Sequence, residues 1–352
     1  MKNLKRFSSY LKYKIRNILP IYIYRILSSL FIKKRETYFQ EKSKSFGELY
    51  PHITFFVIRR RPPGWGFFSN LFFVLKGISY AEKNGYVPVV DMENYWMSEL
   101  SSLKGVDGEK NAWCYFFKQV SEYSLSQVYQ SKNVILSDAS RISGGLDWLT
   151  NRDATLITNL QLLQKTHNII NQHIVLNEKT SNYVREVKKN LNWTSEETLG
   201  VFIRGAVYYE NLEFPKEFIP TLDYFISEVR KIIISSKIKK IYISTEDLRI
   251  YKLISNEFKY IHIIPSLRYD FDITIDEWVK SQVLTNIGGL KEMGFEKNRT
   301  YLTEAMLLSD CKNFIGTFSN ATAFILASTD LSIGDHRLVL QNKVIDFKNK
   351  IN

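Results

Sequence analysis

Apolar and polar positions alternate along the chain in blocks that predict a series of strands and helices. Residues 53–58 are a continuous apolar run, which indicates a buried strand, and 69–81 show helical periodicity. Residues 86–92 have the composition of the next strand. A strand, helix and strand in this order are typical of a parallel α/β sheet. Weaker predictions in the same half are two strands and one polar helix, at 133–137, 155–158 and 179–191.

A second block with the same alternation begins at residue 199. Its predicted strands are 199–203, 240–244, 261–264 and 313–316, and its predicted helices are 221–236, 247–258 and 321–327. A further helix precedes the last strand, with Glu304 in its first turn. Two such blocks joined near residue 196 predict two Rossmann-like α/β domains that face a cleft, over 47–196 and 197–345, after a basic tail at 1–46. Ligands of such folds bind in the cleft at the carboxyl ends of the strands.

Positive charge is concentrated at the N-terminus. The 352-residue chain has a formal net charge of +12, and residues 1–46 hold 12 Lys/Arg and 2 Asp/Glu, or +10. The other residues therefore carry only +2, which excludes a broad basic groove for nucleic acid. The apolar fraction of 45% is that of packed globular domains. Two cysteines, Cys114 and Cys311, cannot supply a disulfide framework or a metal cluster, and we expect buried thiols.

The N-terminal segment predicts a peripheral membrane anchor. Residues 18–32 are mostly apolar but include Arg25, and basic residues flank them on both sides. The run is too short and too charged to span a bilayer, and no secretory cleavage site follows it. We expect residues 1–35 to lie on the anionic inner face of the cytoplasmic membrane, with the protein cytoplasmic and peripheral. The alternative is a basic helix that packs on the body or on another copy.

The segment 301–321 contains the strongest functional pattern. A short apolar strand runs into the polar turn 317–320 (Thr-Phe-Ser-Asn), and a helix begins at Ala321. Amide groups at a helix start have no acceptors within the helix, so this turn is suited to bind phosphate or pyrophosphate. Glu304 upstream can accept two parallel hydrogen bonds from guanine. The alternative for a carboxylate in a first helical turn is an interaction with the helix dipole.

Three other strand ends carry candidate residues. Arg204 follows the strand at 199–203, where its guanidinium would either grip a diphosphate or pair with a structural carboxylate. The run 244–247 (Ser-Thr-Glu-Asp) ends the next strand and offers a helix cap or contacts to ribose and base. Gly64 and Gly66 follow the first strand and permit close approach of a ligand, although a structural turn fits them equally well.

Five segments together match a known set of motifs. They are Gly64-Trp65-Gly66 with Asn70-Leu71, the acidic segment 90–96 (VDMENYW), Phe202-Ile203-Arg204-Gly205, the segment 242–247, and 303–321 with its Thr-Phe-Ser. In content and order these segments resemble the α1,6-fucosyltransferases and the related bacterial nodulation fucosyltransferases, which are near the protein O-fucosyltransferases. The resemblance covers about residues 50–330.

The resemblance implies a GT-B fold and an inverting, metal-independent transfer of fucose or a related sugar from a GDP-sugar to a glycan hydroxyl. It implies that Arg204 holds the β-phosphate and Glu304 the guanine, with no cofactor. The other donor-binding residues that it implies are Gly64, Gly66, Asn70, Phe202, Thr245, Glu246, Asp247, Thr317, Ser319, Asn320 and Ala321. The expected acceptor is an oligosaccharide or lipid-linked glycan, in the synthesis of a bacterial surface polysaccharide.

The chain departs from the family pattern around Arg204. Phe202 stands where the family has a histidine, and Gly205 stands where it has a second arginine. The family's acidic residue that would act as the catalytic base after the arginine has no clear counterpart here. The nearest carboxylates are Glu210 and Glu213. Neutralisation of the leaving diphosphate is therefore expected to depend more on Arg204 and the 317–321 turn.

Two alternatives stay open at this point. The lost family residues are compatible with a non-catalytic protein that binds a sugar nucleotide or a glycan. Asp270 and Asp272 have the D-x-D spacing of metal-dependent transferases, although a hard-cation site needs a larger carboxylate cluster.

Overall fold

The chain folds into two sheets surrounded by helices. The computed structural model describes residues 39–61, 66–95, 105–144, 157–205, 218–267, 291–341 and 343–348. The strands are β1 (Lys42–Lys44), β2 (Leu49–Ile58), β3 (Val87–Val90), β4 (Ser131–Leu136), β5 (Thr198–Phe202), β6 (Lys240–Ser244), β7 (His262–Ile264), β8 (Asn313–Thr317), β9 (Asp335–Val339) and β10 (Val344–Asp346). The helices are α1 (Phe67–Lys83), α2 (Leu125–Val128), α3 (Leu160–His173), α4 (Glu178–Asn190), α5 (Leu222–Ser235), α6 (Leu248–Glu257), α7 (Lys291–Asp310) and α8 (Asn320–Ser328).

The first sheet has the strand order β1-β4-β2-β3. Strand β2 pairs in parallel with both β3 and β4, and β1 pairs antiparallel with β4. Its central run, 55–58, is at most 1% exposed, as expected for a strand covered on both faces. Helix α1 packs on β2 and β3. Strand β1 lies within the segment predicted as a tail, so the first sheet begins at Lys42.

The second sheet has the order β10-β9-β8-β5-β6-β7. All its pairs are parallel except β9 with β10. Strand β5 lies between β8 and β6, and all five of its residues are buried. The carboxyl ends of β5, β6 and β8 therefore lie side by side at one edge of the sheet.

The two halves share one hydrophobic core. Helix α8 packs on α1 and α3 of the first half and on α7 of the second. Phe68 and Leu75 of α1 belong to the same buried cluster as Leu302 and Phe324. This packing brings the beginning of α1 close to α7.

The predicted fold class is confirmed, with two α/β sheets in the order that the apolar pattern indicated. The prediction at 155–158 is wrong where the structure describes it, because Ile157 is helical and Thr158 lies in a turn. Helix α3 and strands β9 and β10 were not predicted. No helix of the described segments is long and apolar enough to cross a membrane, and the expected anchor at 1–35 lies outside them.

Candidate functional site

The register of the second sheet aligns the predicted strand ends. Phe202, the last residue of β5, is opposite Ser244 of β6 and Gly316 of β8. The residues that follow, at 203–205, 245–247 and 317–320, therefore emerge at one edge. This is the edge at which α/β sheets bind their ligands.

Arg204 lies at the centre of this edge. Its Nε is 3.2 Å from Oε1 of Glu246, and its Nη1 donates to the hydroxyl of Tyr301 at 3.1 Å. Its backbone N–H donates to Oγ1 of Thr317 at 3.2 Å. The side chains of Arg204 and Glu246 are only 18% and 16% exposed, so their ion pair is poorly screened by solvent. Arg204 is thus paired with a carboxylate and lies directly beside the turn that begins α8.

Helix α8 begins at Asn320, one residue before the predicted start. Ser319 is its N-cap and accepts from the N–H of Thr322 at 3.1 Å, while the N–H of Ala323 donates to the Ser319 carbonyl at 3.1 Å. The amides of Asn320 and Ala321 occupy the first two helical positions, which have no acceptor within a helix. They add a partial positive charge to that of Arg204.

Gly205 explains one departure from the family pattern. A Cβ atom at this position would lie 3.1 Å from Cγ of Glu246 and 3.1 Å from Cβ of Asp247, so a larger side chain would displace both. Asp247 is the N-cap of α6, where Ser244 or Thr245 was expected to cap, and it accepts from the N–H of Arg249 at 2.9 Å. Gly205 therefore packs against Glu246, which is the ion-pair partner of Arg204.

Glu304 differs in position from the prediction. Helix α7 begins at Lys291, so Glu304 lies in its middle and not in its first turn. The residue is fully buried. Its Oε1 accepts from Ser266 Oγ at 2.7 Å and from the N–H of Leu267 at 2.8 Å, and its Oε2 accepts from Ser244 Oγ at 2.9 Å. In this structure Glu304 joins the end of β6 to the segment after β7.

The first half contributes residues through α1. Gly66 is the N-cap position of α1, and a Cβ there would meet no atom within 4 Å. Phe68 in the first turn contacts the ring of Tyr301 edge-on, with centroids 4.8 Å apart. Asn70 is 1% exposed and lies among aromatic and apolar side chains of the first half, away from the Arg204 cluster.

Other predicted residues are buried or lie outside the described segments. Phe202 is 1% exposed and Thr245 is fully buried, so neither presents a surface to a base in this structure. The candidate residues that lie outside the described segments are Gly64, Glu210, Glu213, Asp270 and Asp272. Within the described segments no group of three His, Cys, Asp or Glu side chains could hold a metal ion. Cys311 is buried and Cys114 is half-buried, and both are free thiols.

The strand ends of the first sheet form a second polar cluster, which sequence reasoning did not identify as a unit. Arg59 is 1% exposed and donates to the hydroxyl of Tyr95 at 2.9 Å and to the Ser137 carbonyl at 2.7 Å. Asp91 is fully buried and accepts from the Tyr129 hydroxyl at 2.6 Å. Burial and Asp91 raise the pKa of Tyr129 above its usual range. These contacts satisfy the buried groups and hold the three strand ends together.

Tyr301 is the residue of the Arg204 cluster that sequence reasoning missed. The signal was present, because Tyr301 precedes Glu304 by three residues, and side chains three apart lie on one face of a helix. It went unrecognised because α7 was expected to begin near 301, which would have placed both residues at a helix end.

Comparison with known proteins yields structural neighbours only. No family model matches the chain, and no curated protein matches it significantly. Three solved structures illustrate the likeness. NodZ α-1,6-fucosyltransferase soaked with GDP-fucose is 16% identical, with 84% of this chain and 99% of that chain covered and a TM-score of 0.49. A mutant of Arabidopsis thaliana FUT1 in complex with GDP is 10% identical, with 85% and 73% covered and a TM-score of 0.46. POFUT1 in complex with GDP is 8% identical, with 80% and 70% covered and a TM-score of 0.32.

These neighbours are fucosyltransferases, as are the proteins whose motifs the sequence resembles. Their identities of 16% or less and TM-scores below 0.5 carry no conclusion about the substrate of this chain.

Proposed function

We propose that this protein is a glycosyltransferase that moves a sugar from a GDP-sugar to a glycan hydroxyl, with inversion and without a metal ion. The observation that supports it most is the hydrogen bond from the backbone N–H of Arg204 to Oγ1 of Thr317, at 3.2 Å, which places Arg204 beside the turn that begins α8. A planar cation beside a helix N-terminus is suited to a diphosphate, because both stabilise the charge that grows on the leaving group.

In this proposal Arg204 and the amides of Asn320 and Ala321 bind the diphosphate. They are held before the reaction by the packing and hydrogen bonds of the sheet edge, so little reorganisation is needed as charge develops. Loss of one such preorganised donor typically lowers turnover on the order of 10²–10³-fold. The transition state resembles an oxocarbenium ion, as in glycosidic chemistry generally.

The nucleoside is assigned to the edge formed by Glu246, Asp247 and Glu304. Oε1 of Glu304 already accepts two donors, Ser266 Oγ and the N–H of Leu267. Guanine offers two parallel donors of the same kind, its N1–H and exocyclic amine. Guanine recognition by Glu304 uses both carboxylate oxygens, so the base replaces Ser244 on Oε2 as well as the donors on Oε1, and uracil lacks the pair.

The acceptor is activated by a carboxylate from the segment after β5, Glu210 or Glu213. Fucose or a related sugar as the transferred group, and a bacterial surface polysaccharide as the product, follow from the sequence resemblance. We further propose that the basic residues 1–35 bind an anionic membrane surface. Co-sedimentation with vesicles that contain anionic lipid tests this, and equal binding to neutral vesicles would contradict it.

Turnover of a panel of GDP-sugars with glycan acceptors tests the proposed activity. We expect GDP release with GDP-fucose or a related donor, and a product of inverted anomeric configuration by NMR. Arg204→Ala should abolish release. The control Arg230→Ala removes a half-exposed arginine that pairs with Glu257 on the outer helices, and it should leave release unchanged. Equal activity of the two variants would contradict the proposed site.

A further inference from the structure

Tyr301 contacts both Arg204 and Phe68. Its hydroxyl accepts from Arg204 Nη1 at 3.1 Å. Its ring packs edge-on against Phe68, with centroids 4.8 Å apart and planes at 89°. Phe68 is 2% exposed and also contacts Phe324 of α8, with ring centroids 5.2 Å apart. The Tyr301 ring is therefore fixed by an aromatic contact from the other half of the chain.

The guanidinium of Arg204 is held at two separate nitrogens. Nε lies beside Glu246 and Nη1 beside the Tyr301 hydroxyl. The two contacts together define the plane of the guanidinium group. An arginine side chain has many rotamers, and binding of a diphosphate by two parallel hydrogen bonds requires one orientation of that plane. A contact that selects this orientation before the ligand arrives lowers the entropic cost of binding.

We infer that Tyr301 is a positioning residue for Arg204, and that its contact with Phe68 couples the guanidinium to the first turn of α1. Phe68 is two residues after Gly66, the N-cap position of α1. The inference rests on the proposed function for its ligand, a nucleoside diphosphate whose β-phosphate meets Arg204.

Tyr301→Phe is the matched variant, because it removes only the hydroxyl and keeps the ring against Phe68. We expect calorimetry to show GDP affinity about 5–10-fold lower than in the wild type, which is within the range of one typical hydrogen bond. Affinity for GMP, which lacks the β-phosphate, should be unchanged. Tyr183→Phe is the control, since the Tyr183 ring stacks on Arg299 at 4.0 Å, outside the Arg204 cluster.

Arg204→Ala completes a double-mutant cycle. If Tyr301 acts through Arg204, Tyr301→Phe has no further effect on GDP affinity once Arg204 is alanine. Equal fold losses for GDP and GMP, or losses that multiply in the double variant, would overturn the inference. Wild-type protein that binds no GDP would overturn the proposed function itself. GDP binding that Arg204→Ala weakens and Tyr301→Phe leaves unchanged would overturn only the role of Tyr301. Thermal unfolding of each variant in the absence of ligand shows that it is folded.

Discussion

Gly205 and Glu246 pack so closely that a Cβ atom on Gly205 would lie 3.1 Å from Cγ of Glu246. Glu246 is also the ion-pair partner of Arg204. We predict that Gly205→Ala displaces Glu246 and lowers turnover on the order of 10-fold, because a misplaced guanidinium no longer meets the diphosphate. Initial rates of GDP release at saturating donor measure this effect.

Gly200→Ala in β5, the strand that precedes Gly205, is the control for Gly205→Ala. A Cβ at Gly200 would lie 3.0 Å from Leu308 Cδ2 and 3.1 Å from Cys311 Sγ, in the core and away from the site. It should lower the free energy of unfolding by about 1–3 kcal/mol through overpacking, with turnover per folded molecule unchanged. Wild-type turnover in Gly205→Ala would contradict the role of this contact.

Glu304 should determine the choice of base. We predict that the wild-type protein prefers GDP to inosine diphosphate, which lacks the exocyclic amine, by on the order of 10-fold or more. Glu304→Gln should lose this preference, because an amide cannot accept both donors in place of a carboxylate. Competition binding with the two diphosphates measures it. Glu296→Gln, an exposed carboxylate of the same helix paired with Arg299, should keep the preference. A preference retained in Glu304→Gln would show that Glu304 acts only through its Ser244, Ser266 and Leu267 contacts.

His336 should make the second sheet sensitive to acid. Burial lowers its pKa to about 4, from an unfolded value of 6.5. The unfolded chain therefore takes up a proton more readily, and stability present above pH 6.5 is lost as the pH falls towards 4. The loss is about 3 kcal/mol in the free energy of unfolding.

His336→Leu should remove most of this dependence in urea unfolding between pH 7 and 4. His262→Leu, at an exposed position of β7, should behave as the wild type. The same acid sensitivity in all three proteins would contradict a role for His336.

Transfer should not depend on a divalent cation, because Arg204 and the α8 amides supply the positive charge at the diphosphate. We predict full GDP release in excess EDTA and no stimulation by Mn²⁺. Asp270→Asn together with Asp272→Asn should leave turnover within a factor of about two, because the proposed transfer uses no metal ligand. Activity that EDTA abolishes and Mn²⁺ restores would instead favour the D-x-D alternative.

The strand ends of the site were predictable because buried parallel strands are continuous apolar runs. The ends of β5, β6 and β8 differ from the predicted ones by one residue or less. Ser319 was predicted as part of the polar turn before α8, and the structure makes it the N-cap, since a hydroxyl before an apolar helix accepts from its first turn.

The beginning of α7 was not predictable from local sequence. Gly294 and Asn298 disfavour a helix, and the helix was expected to begin near residue 301. Tertiary contacts outweigh this preference: Phe295 stacks on Phe116 with centroids 5.4 Å apart, and Arg299 lies over Tyr183. The position of Glu304 and the role of Tyr301 depend on that packing between distant segments. Strands β9 and β10 were missed because they are short and rich in charged residues.

Calorimetric titration of the wild-type protein with GDP and with UDP, both in EDTA, tests the central claim most directly. We predict micromolar binding of GDP, no measurable binding of UDP, and weaker binding of GDP by Arg204→Ala. Absence of GDP binding, or UDP binding that requires Mn²⁺, would contradict the account.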